Sequence, residues 1–164
     1  MGTKNNKKKD TEELKNKSVY IRGVLVDAMY GKRSFDKGED KYRISIKAVP
    51  EDMEMLAEEA EPYYEGVDEK WLPKWFTDAD SREYLNLSSN FDIKVGEKLE
   101  EGAVSDLGRL MDYINENGNI NGSKVVLMVT LKKGAIYPQS MLIKEKHQTT
   151  IADMFAAFED DLPF

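Results

Sequence analysis

Alternation of apolar and polar positions marks five strands along this chain. Residues 18–30 (SVYIRGVLVDAMY) are dense in β-branched and aromatic side chains and are long enough for a curved strand, in which Gly23 predicts a bulge or bend. A polar loop with a glycine near each end follows over 31–40. Residues 41–49 then alternate, with Tyr42, Ile44, Ile46 and Ala48 on one face and Arg43, Ser45 and Lys47 on the other, until Pro50 stops the strand. Residues 81–95 read as a third strand carrying Tyr84, Leu85, Leu87, Phe91 and Ile93. The apolar run 123–131 is the fourth, and a hairpin turn at Lys132-Lys133-Gly134-Ala135 leads to a fifth over 136–144.

The connections have helical patterns. Residues 51–61 (EDMEMLAEEAE) contain good helix formers, with acids in the first turn favourably placed at the positive end of the dipole. Their six acids spread around the helix, which predicts a solvated surface rather than a metal site. Residues 62–79 are irregular and hold Trp71 and Trp75; packing of this segment onto the body is favoured over base stacking, because the surrounding acids repel phosphate. The Gly/Asn/Glu-rich stretch 96–122 predicts one helix over 105–115. Residues 1–17 read as a flexible basic arm. Near the other end Ile151, Met154, Phe155 and Phe158 recur at helical spacing, so 150–158 predicts a short amphipathic helix capped by Thr150.

Composition narrows the function classes. The chain has 164 residues, 40% of them hydrophobic, which suits one domain with tails. With no cysteine there are no disulfides, thiol nucleophiles or thiolate metal sites. No apolar run approaches the roughly 18 residues that span a bilayer, and no signal-peptide pattern opens the chain, so no membrane association and a cytoplasmic location are expected. The one histidine, His147, stands in a polar run and reads as a solvated residue. Gly31-Lys32 fails the phosphate-loop pattern because position 26 is Val, and no defensible paired-carboxylate or nucleophile–base arrangement emerges. Neither an enzyme nor a bound metal or other cofactor is expected.

The net charge of −7 conceals a strong segregation. Residues 1–49 carry 13 Lys/Arg against 7 Asp/Glu and residues 119–148 carry 5 against 1, whereas 50–118 carry 6 against 19. The two basic segments are also the clearest hairpins, so a fold that joins them builds one basic face able to attract phosphate despite the acidic total. Solvated lysines on strand edges are the plainer alternative. Aromatic residues interleave with these cations: Tyr20 and Arg22; Tyr30, Lys32, Arg33 and Phe35; Tyr42 and Arg43; and Lys132, Lys133 and Tyr137. Such interleaving suits single-stranded nucleic acid, whose bases stack on rings while cations follow the phosphates. The candidate contact residues are Arg22, Tyr30, Lys32, Arg33, Phe35, Arg43, Lys132, Lys133 and Tyr137. Tyr42 shares a face with Ile44 and Ile46 and is assigned to the core instead; the side of Tyr20 stays open.

The last residues carry a more specific signal. Asp160, Asp161, Leu162, Pro163 and Phe164 set two carboxylates, an apolar pair and a φ-restricted proline against the terminal carboxylate. With Phe158 and Glu159, this stretch resembles the acidic tip that ends bacterial and phage single-stranded DNA-binding proteins. The resemblance implies a mainly β fold: a five-stranded OB-fold barrel over 18–146, with acidic helical insertions at about 50–82 and 96–122, a flexible N-terminal arm and an acidic C-terminal tail over 147–164. It implies sequence-nonspecific protection of single-stranded DNA in replication and recombination, recruitment of partner proteins through Asp160–Phe164, and a homo-oligomer, dimer or tetramer. In that barrel the first and last hairpins overhang the binding groove. The chain departs from the family in its tail, which lacks the usual long Gly/Gln/Pro-rich linker. An acidic adaptor or DNA mimic that binds no single strand, and an OB-type RNA binder, are the alternatives.

Overall fold

The computed structural model describes residues 14–32, 39–98 and 108–147. Strand β1 (Lys17–Gly31) is followed by β2 (Lys41–Ala48), helix α1 (Pro50–Ala60), the short helix α2 (Lys74–Thr77), β3 (Tyr84–Ser89), β4 (Lys94–Glu97), β5 (Gly108–Arg109), helix α3 (Leu110–Asn117), β6 (Lys124–Lys132) and β7 (Ala135–Glu145). The strands form one sheet in the order β3-β2-β1-β6-β7-β4-β5.

Two features turn this sheet into a barrel. The first is β1, which pairs along residues 17–24 with β6 and along residues 23–31 with β2, both antiparallel. Gly23 lies in both ladders, opposite Ala48 and Val125, and the β2 register shifts between Leu25 and Asp27. A Cβ on Gly23 would stand 2.5 Å from the carbonyl oxygen of Lys47. Only glycine therefore permits this approach of the two backbones, at the bend expected from the sequence. The second feature is the third strand. Read as continuous over 81–95, it is instead two segments: β3 pairs antiparallel with β2, and β4 pairs parallel with β7. The break comes where the chain changes partners, and the Ser89 hydroxyl accepts a hydrogen bond from the Phe91 amide at 3.0 Å. Because β3 and β4 are consecutive, β3 at one end of the hydrogen-bonded order is joined through residues 90–93 to β4, the neighbour of β7 near the other end. The principal strands β1, β2, β3–β4, β6 and β7 thus make a mainly β, five-stranded OB-like barrel.

Period-two alternation fills the interior. Val19, Ile21 and Leu25 of β1 meet Ile44 and Ile46 of β2, Leu85 and Leu87 of β3, and Val125, Leu127, Val129 and Leu131 of β6, all buried. Helix α1 closes one side with Met53, Leu56 and Ala60. Its acids are not all solvated, contrary to expectation. Asp52 is buried and accepts hydrogen bonds from the Arg22 amide at 2.8 Å, from Nε at 2.9 Å and from Nη2 at 2.8 Å. Glu59 pairs with Lys17. The acidic segment after α1 also packs, as expected. Tyr64 contacts Trp75 and Phe76, and the Tyr63 carbonyl accepts from the Gly134 amide at 2.7 Å, which ties the segment to the β6–β7 turn. Helix α3 starts at Leu110 rather than 105; residues 105–107 lie outside the described ones, as do the basic arm over 1–13 and the helix expected at 150–158.

Replacing Gly23 with Ala should cost about 1–3 kcal/mol of stability in urea unfolding, because the added methyl meets backbone rather than a yielding side chain. Asp52 provides a pH test. Its hydrogen bonds and ion pair with Arg22 hold its carboxyl below the ordinary carboxylate range, against the opposing effect of burial. Its stabilising contribution is therefore full above the unfolded pKa of about 4 and disappears as pH falls through the lower folded value. Asp52→Asn should lower Tm at pH 7, and the gap to the native protein should begin to narrow below about pH 4 and close only once pH has fallen through the lower folded value. A gap independent of pH would contradict this linkage.

Candidate nucleic-acid interface

Three surfaces of the barrel present exposed rings or cations. The first is a cleft of about 390 Å³ between the β3–β4 junction and the β6–β7 hairpin, lined by Ser89, Asn90, Phe91, Asp92, Thr130, Lys132, Tyr137, Pro138 and Gln139. Phe91 is 80% exposed, an unusual state for a phenylalanine that neighbours the buried Ile93. Tyr137 is 38% exposed, and the Lys132 ammonium stands 5.3 Å from the centre of its ring. That arrangement leaves apolar ring surface beside a positive charge. Lys133 is exposed at the turn itself, where the tie from Gly134 to Tyr63 fixes the backbone.

The cleft reaches the first hairpin through sheet register. Ser89 lines it and pairs with Tyr42, which in turn pairs with Tyr30. The Tyr30 and Tyr42 rings lie 4.6 Å apart at 43°. Tyr42 is half-buried and packs on the core, in keeping with its assignment, while Tyr30 is exposed. Lys32 is exposed beyond the end of β1. Arg33 and Phe35, in the loop between β1 and β2, lie outside the described residues.

The second surface is the outer face of β2 with its neighbours. Directly paired residues share a face. Lys41, Arg43, Ser45 and Lys47 of β2 therefore stand beside Asp27 and Met29 of β1 and beside Tyr84, Asn86 and Ser88 of β3. Lys47 is paired with the exposed Tyr84, and Arg43 Nε donates to the Gly31 carbonyl at 3.0 Å, which holds the guanidinium against the base of the first hairpin. Ser45 and Asn86 hydrogen-bond to each other, which explains the burial of a serine on the outer face.

A groove of about 610 Å³ forms the third surface, where β1 bends between β2, β6 and β7. Arg22, Lys47, Lys98, Lys124 and Lys144 line it together with Glu145. Arg22 reaches this surface as a member of its pair with Asp52 rather than as a lone cation.

Thus the fold brings Tyr30, Lys132 and Tyr137 to one end of the barrel, puts Lys32 and Lys133 at the adjoining hairpins, sets Arg43 on the β2 face and holds Arg22 apart beside α1. Sequence reasoning missed Phe91, Tyr84 and the lysines of the groove. For Phe91 a signal existed: Ser88-Ser89-Asn90 before it and Asp92 after it break the β pattern, so a turn is the natural reading. Tyr20, left open, faces out and is exposed. The tryptophans divide: Trp75 is buried in the ring cluster, while Trp71 is 72% exposed with the Lys70 ammonium over it at 5.5 Å. His147 is exposed, and its amide donates to the Ser123 hydroxyl at 2.8 Å. Among the described residues no cluster of three or more His, Cys, Asp or Glu could hold a metal ion, and no helix is long and apolar enough to cross a membrane.

No family model matches the chain, and no curated protein matches it. Among solved structures it is similar to the single-stranded DNA-binding protein from bacteriophage Enc34 in complex with ssDNA, at 13% identity and a TM-score of 0.46, over 79% of this chain and 88% of that one.

Proposed function

We propose that this protein binds single-stranded DNA without strong sequence preference, through the aromatic cleft and the basic face of β2. The observation that carries the reading is the exposed Phe91 beside Tyr137 and Lys132, in a cleft whose Ser89 wall leads to Tyr42 and Tyr30. Exposed rings next to cations offer bases a stacking surface and phosphates a counter-charge, and ring stacking tolerates any base. The outer face of β2 alternates cations along one strand, and a backbone laid along it meets Lys41, Arg43 and Lys47 in turn. Duplex DNA is disfavoured, because its bases are already stacked and cannot reach the rings.

In this reading the chain protects exposed strands during replication or recombination, inside the cell and as a homo-oligomer. Asp160, Asp161, Leu162, Pro163 and Phe164 recruit partner proteins. The support for recruitment is the sequence of the tip: an apolar side chain and a free carboxylate behind a proline suit an apolar socket with a basic rim.

Binding to a fluorescent oligothymidine, compared with duplex DNA and RNA of equal length across a salt series, tests the reading. Affinity should be highest for the single DNA strand and should fall steeply with salt. Phe91→Ala should keep the native Tm, since the ring is exposed, yet weaken oligothymidine binding roughly 5- to 150-fold, the equivalent of about 1–3 kcal/mol for one lost stack. Unchanged affinity in Phe91→Ala would remove the cleft from the interface. Deleting Phe164 should leave DNA affinity equal or slightly raised while abolishing partner capture; a large loss of DNA affinity would overturn the division of labour between barrel and tip.

A further inference from the structure

The groove at the bend of β1 is built differently from the aromatic cleft. Its floor is aliphatic, with Val24 exposed and Val126 half-buried, and its rim is cationic. Three of the five cations have carboxylate partners: Arg22 with Asp52 at 2.8 Å, Lys124 with Glu145 at 3.2 Å and Lys47 with Glu83 at 3.6 Å. Among the described residues Lys98 and Lys144 have none, and both are exposed. Among the described residues, then, two ammonium groups without a carboxylate partner share one concave surface with three paired cations. Five cations against three carboxylate partners among the described residues leave the groove a positive excess, on a chain whose net charge is −7.

The groove is also continuous with the β2 face. Lys47 belongs to both, and one row of the sheet sets Val24, Lys47 and Tyr84 side by side. From Lys41 to Lys47 the outer face of β2 covers about 20 Å at the usual strand rise. It runs from the base of the first hairpin, in the row of the tyrosine pair, to the groove at the opposite end of the strand.

We infer that the groove is a second phosphate-binding track, which holds the part of a single strand that has crossed β2 from the aromatic cleft. This rests on the single-strand reading above and extends it: bases are held at the cleft, whereas Lys98 and Lys144 hold phosphates alone, with no ring between them. A short oligomer fills the cleft, and only a longer one reaches the groove.

The test uses the full chain and the double substitution Lys98→Gln/Lys144→Gln, with oligothymidines of about 5 and about 20 nucleotides across a salt series. The variant should keep the native Tm and bind the short oligomer as the native protein does. For the long oligomer it should bind more weakly, with the slope of log K against log salt reduced by about 1.4, since each lost phosphate contact on a single strand removes about 0.7. Lys98→Arg/Lys144→Arg should restore the native slope. Native slope and affinity for the long oligomer in the Gln variant would overturn the track and leave the groove to an acidic protein segment. Equal losses on both oligomers would also overturn it, by placing the two lysines at the cleft end. Absence of single-strand binding by the native protein would instead defeat the parent reading and the track together.

Discussion

One strand that serves two ladders holds this molecule together. Over residues 23 and 24 β1 is paired with β6 on one side and β2 on the other, so the chain must bend there without losing hydrogen bonds to either. The bend forces the backbone within contact of Lys47, and any side chain at position 23 would collide with that carbonyl. From this constraint follow the closure of the barrel, the rotation of Arg22 toward α1, and the concave surface where the basic groove lies. A flat sheet with the same hydrogen bonds would leave one face of Ile21, Leu25, Ile44 and Leu127 in water.

The joint between β3 and β4 completes the closure and also creates the most exposed aromatic ring. To leave β2 and join β7, the chain turns at residues 90–93. In that turn Ile93 goes inward and Phe91 outward. A large apolar side chain in water has lost the hydrophobic gain that its burial would bring, on the order of 2 kcal/mol. Its position, in the cleft that Tyr137 and Lys132 also line, is where a stacking partner would recover that gain.

Electrostatics divide along similar lines. Most acids of the middle segment face solvent, while Asp52 and Glu59 on α1 neutralise Arg22 and Lys17. The cations of β2 and of the ends of β6 and β7 remain on the surface. A chain of net charge −7 thereby keeps positive faces, and a ligand approaching within a Debye length of about 8 Å meets the local field rather than the total.

The strands were legible in the sequence because period-two alternation reports the inner and outer faces of a pleated strand directly; this is why β2, β6, β7 and most of β1 are found within a residue or two of the expected bounds. Gly23 was legible as a bend for the same local reason, and so was the two-residue turn at Lys133-Gly134. The fate of a side chain whose partner is distant in sequence was not. Asp52 looks like any other acid of its helix until Arg22, thirty residues earlier, is brought beside it. Likewise Lys98, Lys124 and Lys144 carry no common motif; the parallel pairing of β4 with β7 and the hairpin of β6 with β7 gather them around Val126. Local pattern alone determined β1, β2, β6 and β7, the turn between the last two and the segregation of charge along the chain. Which of those charges are neutralised, and which rings face water beside a cation, only the closed barrel decided, because both depend on contacts between residues that the chain itself keeps far apart.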